Sequence, residues 1–130
     1  MGDKPCLSNA DIANEYFKAL FKGRHIEYCY MACLSPRGRL TKLVHLSKGT
    51  LDSSVVYVRD IAKAAMEAGS KNVILAHNHP AGTLRPSWED IDLTRRAEEA
   101  LKILDIRLEE HYIVTSKGCV GIIREGYLNK

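Results

Sequence analysis

Between a helical stretch that stops at Gly69 and a serine, Ser87, that opens another, the chain runs through NVILAHN, residues 72–78. So short an apolar run, bounded by turn signals, reads as a strand buried on both faces. A buried strand set between two helices commits the chain to a sheet with helices packed on it. The remaining segments must supply the partner strands and the covering helices.

Residues 8–23 open on capping side chains, carry Ile12, Tyr16, Phe17, Leu20 and Phe21 at helical spacing, and stop at Gly23. IEYCYMACL (26–34), the turn signal SPRG and RLTKLVHLSKG (39–49) together predict an antiparallel hairpin. VRDIAKAAMEAG (58–69) places Ile61, Ala64, Ala65 and Ala68 on one side of a helix that closes at Gly69. SWEDIDLTRRAEEALKIL (87–104) places Ile91, Thr94, Ala97, Leu101 and Leu104 along one stripe, and two short strands turned by SKGC follow. The order helix, hairpin, helix, strand, helix, strands predicts an α/β (α+β mixed) single domain over residues 1–130, with a central mixed sheet flanked by helices and residues 1–7 flexible. At 130 residues and 45% hydrophobic content, such a domain builds its core without disulfides or a structural metal. Internal repeats and low-complexity linkers are absent from the sequence.

Charge and composition narrow the function classes. The formal charge is +3, from 19 basic and 16 acidic residues spread along the chain, which permits nucleic acid without indicating it. Tyr28, Tyr30 and Trp88 lie in apolar settings without flanking basic clusters, so a stacking platform for nucleic acid is not expected. The four cysteines, with no secretory leader, read as reduced thiols of a cytoplasmic protein, and Cys29 and Cys33 as small core residues. No apolar run approaches the roughly 20 residues that span a bilayer, so no membrane is expected. Oligomeric state stays open.

The chemistry concentrates in HNHPAGTLRPSWED, residues 77–90. Side chains two apart on a strand share a face, so His77 and His79 project together while Asn78 points away. Pro80, Gly82 and Pro86 bend the chain, and the helix opened by Ser87 returns its first-turn carboxylate, Asp90, toward the strand end. Two imidazoles and a carboxylate leave a fourth tetrahedral position open, the pattern of a catalytic zinc. SWED also satisfies a capping box, in which Asp90 bonds the Ser87 amide, and taken alone the cap is the simpler reading. The two roles coexist only when different carboxylate oxygens serve them.

The constellation H-x-H, seven residues, S-x-x-D resembles the metal signature of the JAMM (MPN+) metalloproteases at all four positions: His77, His79, Ser87 and Asp90. AHNHPAGTLRPSWEDIDLT, with KGTLDSSVVYVRDIAKAA and EEHYIV, more narrowly resembles the bacterial RadC proteins, over residues 8–127. The resemblance implies a JAMM/MPN-like, cytidine-deaminase-like fold and one zinc ion per chain, held by His77, His79 and Asp90. It also implies a water activated by that zinc to attack an amide or isopeptide bond of a peptide or protein substrate. By the same resemblance Glu27, matching a glutamate on an early strand, is the proton-transferring base, and the Ser87 hydroxyl donates to the oxyanion. Two departures fall off the ligand positions: Ala81 stands where RadC proteins commonly have serine, and Glu110-His111 where they have Asp-His. The N-terminal helix-hairpin-helix region usual in RadC proteins is absent from this sequence, as expected of an excised domain or a short family member. Alternatives from other classes are a DNA-repair-associated nucleic-acid-binding protein and a non-catalytic scaffold. A zinc deaminase needs H-x-E and P-C-x-x-C, which Cys29 and Cys33 do not supply. His111 is left either supporting a metal ligand or sitting satisfied in the core, and His25 and His45 read as surface positions.

Overall fold

The computed structural model describes residues 4–48 and 56–129. The segment Gly49–Val55, which includes the end of the expected second strand and part of KGTLDSSVVYVRDIAKAA, lies outside them. Helix α1, Ala10–Phe21, starts where the Asn9 side chain accepts the Ile12 amide. Strands β1 (Tyr28–Leu34) and β2 (Leu40–Lys48) form the hairpin, with Ile26 and Glu27 just ahead of the first strand rather than in it. Helix α2, Val58–Ala68, ends on Gly69 at φ 65, the left-handed position that glycine takes without strain. Strand β3 is Asn72–Asn78, helix α3 is Trp88–Ile103, and β4 (Arg107–Thr115) and β5 (Gly118–Gly121) close the domain. β4 is a long strand, not one of two short ones, because it pairs along both edges.

The five strands lie in the order β2-β1-β3-β4-β5, antiparallel except for the β3–β4 pair that α3 connects. This is the mixed α/β single domain expected from the order of elements. Because side chains alternate across a strand, each sheet face carries its own core. On one face Leu7, Ala13, Phe17 and Phe21 pack with Ala32, Leu34, Ile74 and Ala76. On the other, Ile61, Ala65, Ala97 and Leu101 of α2 and α3 pack on Met31, Cys33, Val73 and Leu75. Each large side chain buried this way stabilises the fold by about 1.5–3 kcal/mol.

Three sequence expectations shift. The apolar stripe of α1 runs through Ala13, Phe17 and Phe21, and Ile12 is exposed, because the four-residue step 13, 17, 21 is the row that meets the sheet. Leu104 at the end of the α3 stripe is likewise exposed, since it is the residue that caps the helix rather than one within it. Of the segment 1–7 expected to be loose, Leu7 is buried and its amide donates to the Gly38 carbonyl, so the packed domain begins at least there. Cys29 and Cys33 are buried free thiols, and Cys6 and Cys119 are free as well. Among the described residues no helix is long and apolar enough to cross a membrane.

The β3–β4 pairing is irregular at one point. Val73 pairs with Leu108, but Ile74 pairs with Glu110, so Glu109 is an extra residue in β4. The bulge shifts the alternation by one, and His111 comes level with Leu75 on the face covered by α2 and α3. A regular strand would have turned it to the opposite face.

Candidate metal centre

β3 carries His77 near its C-terminal end, level with Cys29 of β1, and His79 follows one residue past the strand. Ser87 caps α3 as the sequence suggested: its hydroxyl oxygen accepts the Asp90 amide at 3.0 Å, and Asp90 Oδ2 accepts the Ser87 amide at 2.8 Å. The cap does not consume the carboxylate. Asp90 Oδ1 sits 3.0 Å from His77 Nε2, and Oδ2 lies 3.2 Å from His79 Nε2. The two Nε2 atoms are 3.0 Å apart. One ligand atom from each of Glu27, His77 and His79 also lies within 4.8 Å of the others, so the three form a group able to hold a metal ion.

Hydrogen bonding determines which ring nitrogens face this point. His79 Nδ1 lies 2.8 Å from the Thr83 carbonyl, which only accepts, so Nδ1 carries the proton and Nε2 presents a lone pair. His77 is set by a longer relay. The Thr94 hydroxyl donates to the Asp90 carbonyl at 2.6 Å, so its oxygen accepts from His111 Nδ1 at 2.6 Å. His111 Nε2 is then the acceptor for His77 Nδ1 at 2.7 Å, and His77 Nε2 faces the cluster without a proton. Two imidazole lone pairs and a carboxylate thus converge, a donor set that repels itself unless a cation or added protons sit among it. The residues fit a divalent ion of the zinc type.

With protons in place of a cation among these donors, the same groups shift one another's charges. Burial alone would raise the Asp90 carboxyl, but the hydrogen bonds of His77 and His79, the His77 charge and the Ser87 amide hold it well below the usual carboxylate range. Burial would lower His79, yet Asp90, the Thr83 carbonyl and the Glu27 charge raise it. Fully buried His111 is depressed well below its ordinary value, first by burial and then by His77, which keeps it the neutral relay that the hydrogen bonds require. Burial, with the charges of Asp90 and Glu27, pushes the Cys29 thiol up to about 12, so it is no thiolate at neutral pH.

Sequence reasoning missed two parts of this arrangement. Asn78 does point away from the histidines, but its side chain accepts the Tyr28 amide at 2.7 Å and donates to the Ile26 carbonyl at 3.0 Å. That clamp grips the backbone on both sides of Glu27 and sets it beside the histidines; the middle letter of H-N-H was the available signal. Thr94 falls on the apolar stripe of α3 by spacing, but its hydroxyl holds the relay. His111, left open between two roles, is bonded to His77. Ser87 is exposed at the rim, and His25 and His45 are exposed. The apolar setting expected for the aromatics fails for all three: Trp88 is 80% exposed on the first turn of α3, and the Arg24 guanidinium lies 4.3 Å over the Tyr28 ring and 5.6 Å over the Tyr30 ring. Helix-start position puts Trp88 outside the sheet contact, and Arg24 arrives from the α1–β1 loop.

Fold and cluster together define a JAB/MPN-like domain with a candidate metal centre at the end of its central strand pair. The chain belongs to the RadC-like JAB domain family, whose sequence profile matches residues 7–127. A UPF0758 protein of Bordetella bronchiseptica is 35% identical over 122 residues, covering 94% of this chain and 54% of the relative. A UPF0758 protein of Saccharophagus degradans is 34% identical over 125 residues, 96% of this chain and 56% of the relative. The chain therefore spans about half the length of the curated relatives it matches.

Proposed function

We propose that this domain is a zinc-dependent peptidase that hydrolyses an amide or isopeptide bond, with His77, His79 and Asp90 holding the metal and Glu27 and Ser87 handling the protons. The observation that carries this reading is the pair of Nε2 atoms facing the Asp90 carboxylate, His77 toward Oδ1 and His79 toward Oδ2, each ring fixed by a hydrogen bond on its far side. Asp90 is the better third ligand because its oxygens lie 3.0 and 3.2 Å from the two histidines, whereas the Glu27 oxygen lies within the looser 4.8 Å group. Zinc in such a site supplies Lewis acidity and makes a water ionisable near pH 7. Glu27 takes the proton that the attacking water loses and delivers it to the amine nitrogen as the carbon–nitrogen bond breaks. Ser87 Oγ accepts the Asp90 amide and so keeps its own proton to donate to the carbonyl oxygen as charge develops there.

Zinc bound per chain, measured by mass spectrometry after dialysis, and turnover of a peptide and isopeptide library test the assignment. About one zinc per chain is expected in the parent and in Glu27→Gln, and none in Asp90→Ala. Turnover should fall by about 10²-fold or more in Glu27→Gln. Metal loss in Glu27→Gln would make Glu27 a ligand, and undiminished turnover would remove it from the reaction.

A further inference from the structure

A cleft of about 500 Å³ opens beside His79, between the C-terminal end of α1 and the loops that follow β3 and β4. Its volume is within the roughly 300–1,000 Å³ of ligand sites. Among the described residues three cations line it, Lys18, Lys22 and Arg24, and no carboxylate does. Lys18, in the last turn of α1, also offsets the helix dipole. Arg24 lies beyond the helix and is pre-oriented: its Nε donates to the Leu20 carbonyl at 3.1 Å, and its plane rests on Tyr28. Among the described residues neither terminal nitrogen of Arg24 has a hydrogen-bond partner, and none of the three cations is in an ion pair. A guanidinium held in place with its two outer nitrogens open matches the geometry of a carboxylate.

We infer that this cleft binds an acidic stretch of polypeptide, carboxylate side chains meeting Arg24, Lys22 and Lys18, and leads the adjoining backbone past His79. Three cations strung along one wall suit several carboxylates rather than a single chain terminus. Nucleic acid is the less favoured polyanion, because among the described residues Phe21 is the one Phe, Tyr or Trp in the lining, and it is buried and offers no face on which a base can stack. The inference names the substrate class of the proposed peptidase and rests on that reading only for the direction in which the chain runs.

Fluorescence anisotropy with zinc-treated protein and labelled probes, the charged peptides C-terminally amidated, tests it independently of turnover. The probes are a glutamate-rich peptide, its lysine-rich counterpart, a neutral peptide with a free C-terminus, and a single-stranded oligonucleotide of equal charge. The acidic peptide should bind best, more weakly at high salt, and about tenfold or more weakly in Arg24→Gln and in the exposed double variant Lys18→Glu/Lys22→Glu. Zinc content should match the parent in both variants. Equal binding of acidic and lysine-rich peptides, preference for the free C-terminus or the oligonucleotide, or unchanged affinity in the folded double variant would overturn it. Binding of the acidic peptide without hydrolysis of any substrate would sustain the cleft and count against the peptidase reading instead.

Discussion

Thr94 donates its one hydroxyl proton to the Asp90 carbonyl, and everything downstream depends on the oxygen that remains: His111 donates to it, His77 donates to His111, and His77 Nε2 is left unprotonated. Thr94→Val keeps the shape and removes the acceptor, leaving a buried His111 N–H unpaired or driving the ring to its other tautomer. In that tautomer His111 faces His77 with a proton, and His77 must carry its own on the metal side. Zinc affinity, measured by competition with a chromophoric chelator, should fall about 10- to 100-fold in Thr94→Val and stay near the parent in Thr94→Ser, with circular dichroism unchanged in both. A Thr94→Val protein that binds zinc like the parent would show that the relay does not select the tautomer.

The bulge in β4 is an element-scale device, because it turns His111 to the metal face and sends Glu110 to the other. There Glu110 accepts the amides of His111, Ile123 and Arg124 at 2.8, 2.7 and 2.9 Å, stitching β4 to the turn after β5. Gly121 makes room: a Cβ there would collide with the Glu110 carboxylate, whose atoms cannot withdraw without abandoning those amides. Gly121→Ala should lower the urea midpoint by an amount equivalent to about 1–3 kcal/mol. Its double variant with Glu110→Asp, a methylene shorter and the residue common at this place in RadC proteins, should recover part of that loss. The bulge itself could not be read from HYIVT or its neighbours. It shows only in the pairing of β4 with β3, where Val73 meets Leu108 and Ile74 meets Glu110.

At the scale of the whole molecule, the centre ties stability to pH and metal. The Asp90 carboxyl is lowered in the folded chain, so its contribution is present above about pH 3.9 and lost as pH falls below that. His79 is raised, so its contribution is present below about pH 6.5 and lost as pH rises through its folded value. Without metal, the thermal midpoint of the parent should exceed that of Asp90→Asn most near pH 5 and least near pH 8. If the site holds zinc as proposed, the ion should reverse the trend by replacing the protons, adding about 2.7 kcal/mol to the parent at a hundredfold excess over its dissociation constant. Melts at pH 8 with zinc and with chelator, in parent and Asp90→Asn, measure both effects. A pH-independent difference between the two metal-free proteins would dissolve the ion pair.

The sequence alone determined whatever is local. The span of β3, the glycine stop of α2, the Ser87 cap and the return of Asp90 to the strand end come from strand alternation, turn residues and helix-start chemistry within one continuous stretch. The double duty of Asp90 was legible too, but not its division: Oδ2 accepts the Ser87 amide and also faces His79, while Oδ1 faces His77. Only the tertiary structure decided which distant residues attend that stretch. Glu27 arrives through β1–β3 pairing and the Asn78 clamp, His111 through a parallel bulge, and the cationic cleft through the docking of α1 across the sheet. Such placements depend on register between separated segments, which is set by how side chains from both fill one core and not by the preferences of either.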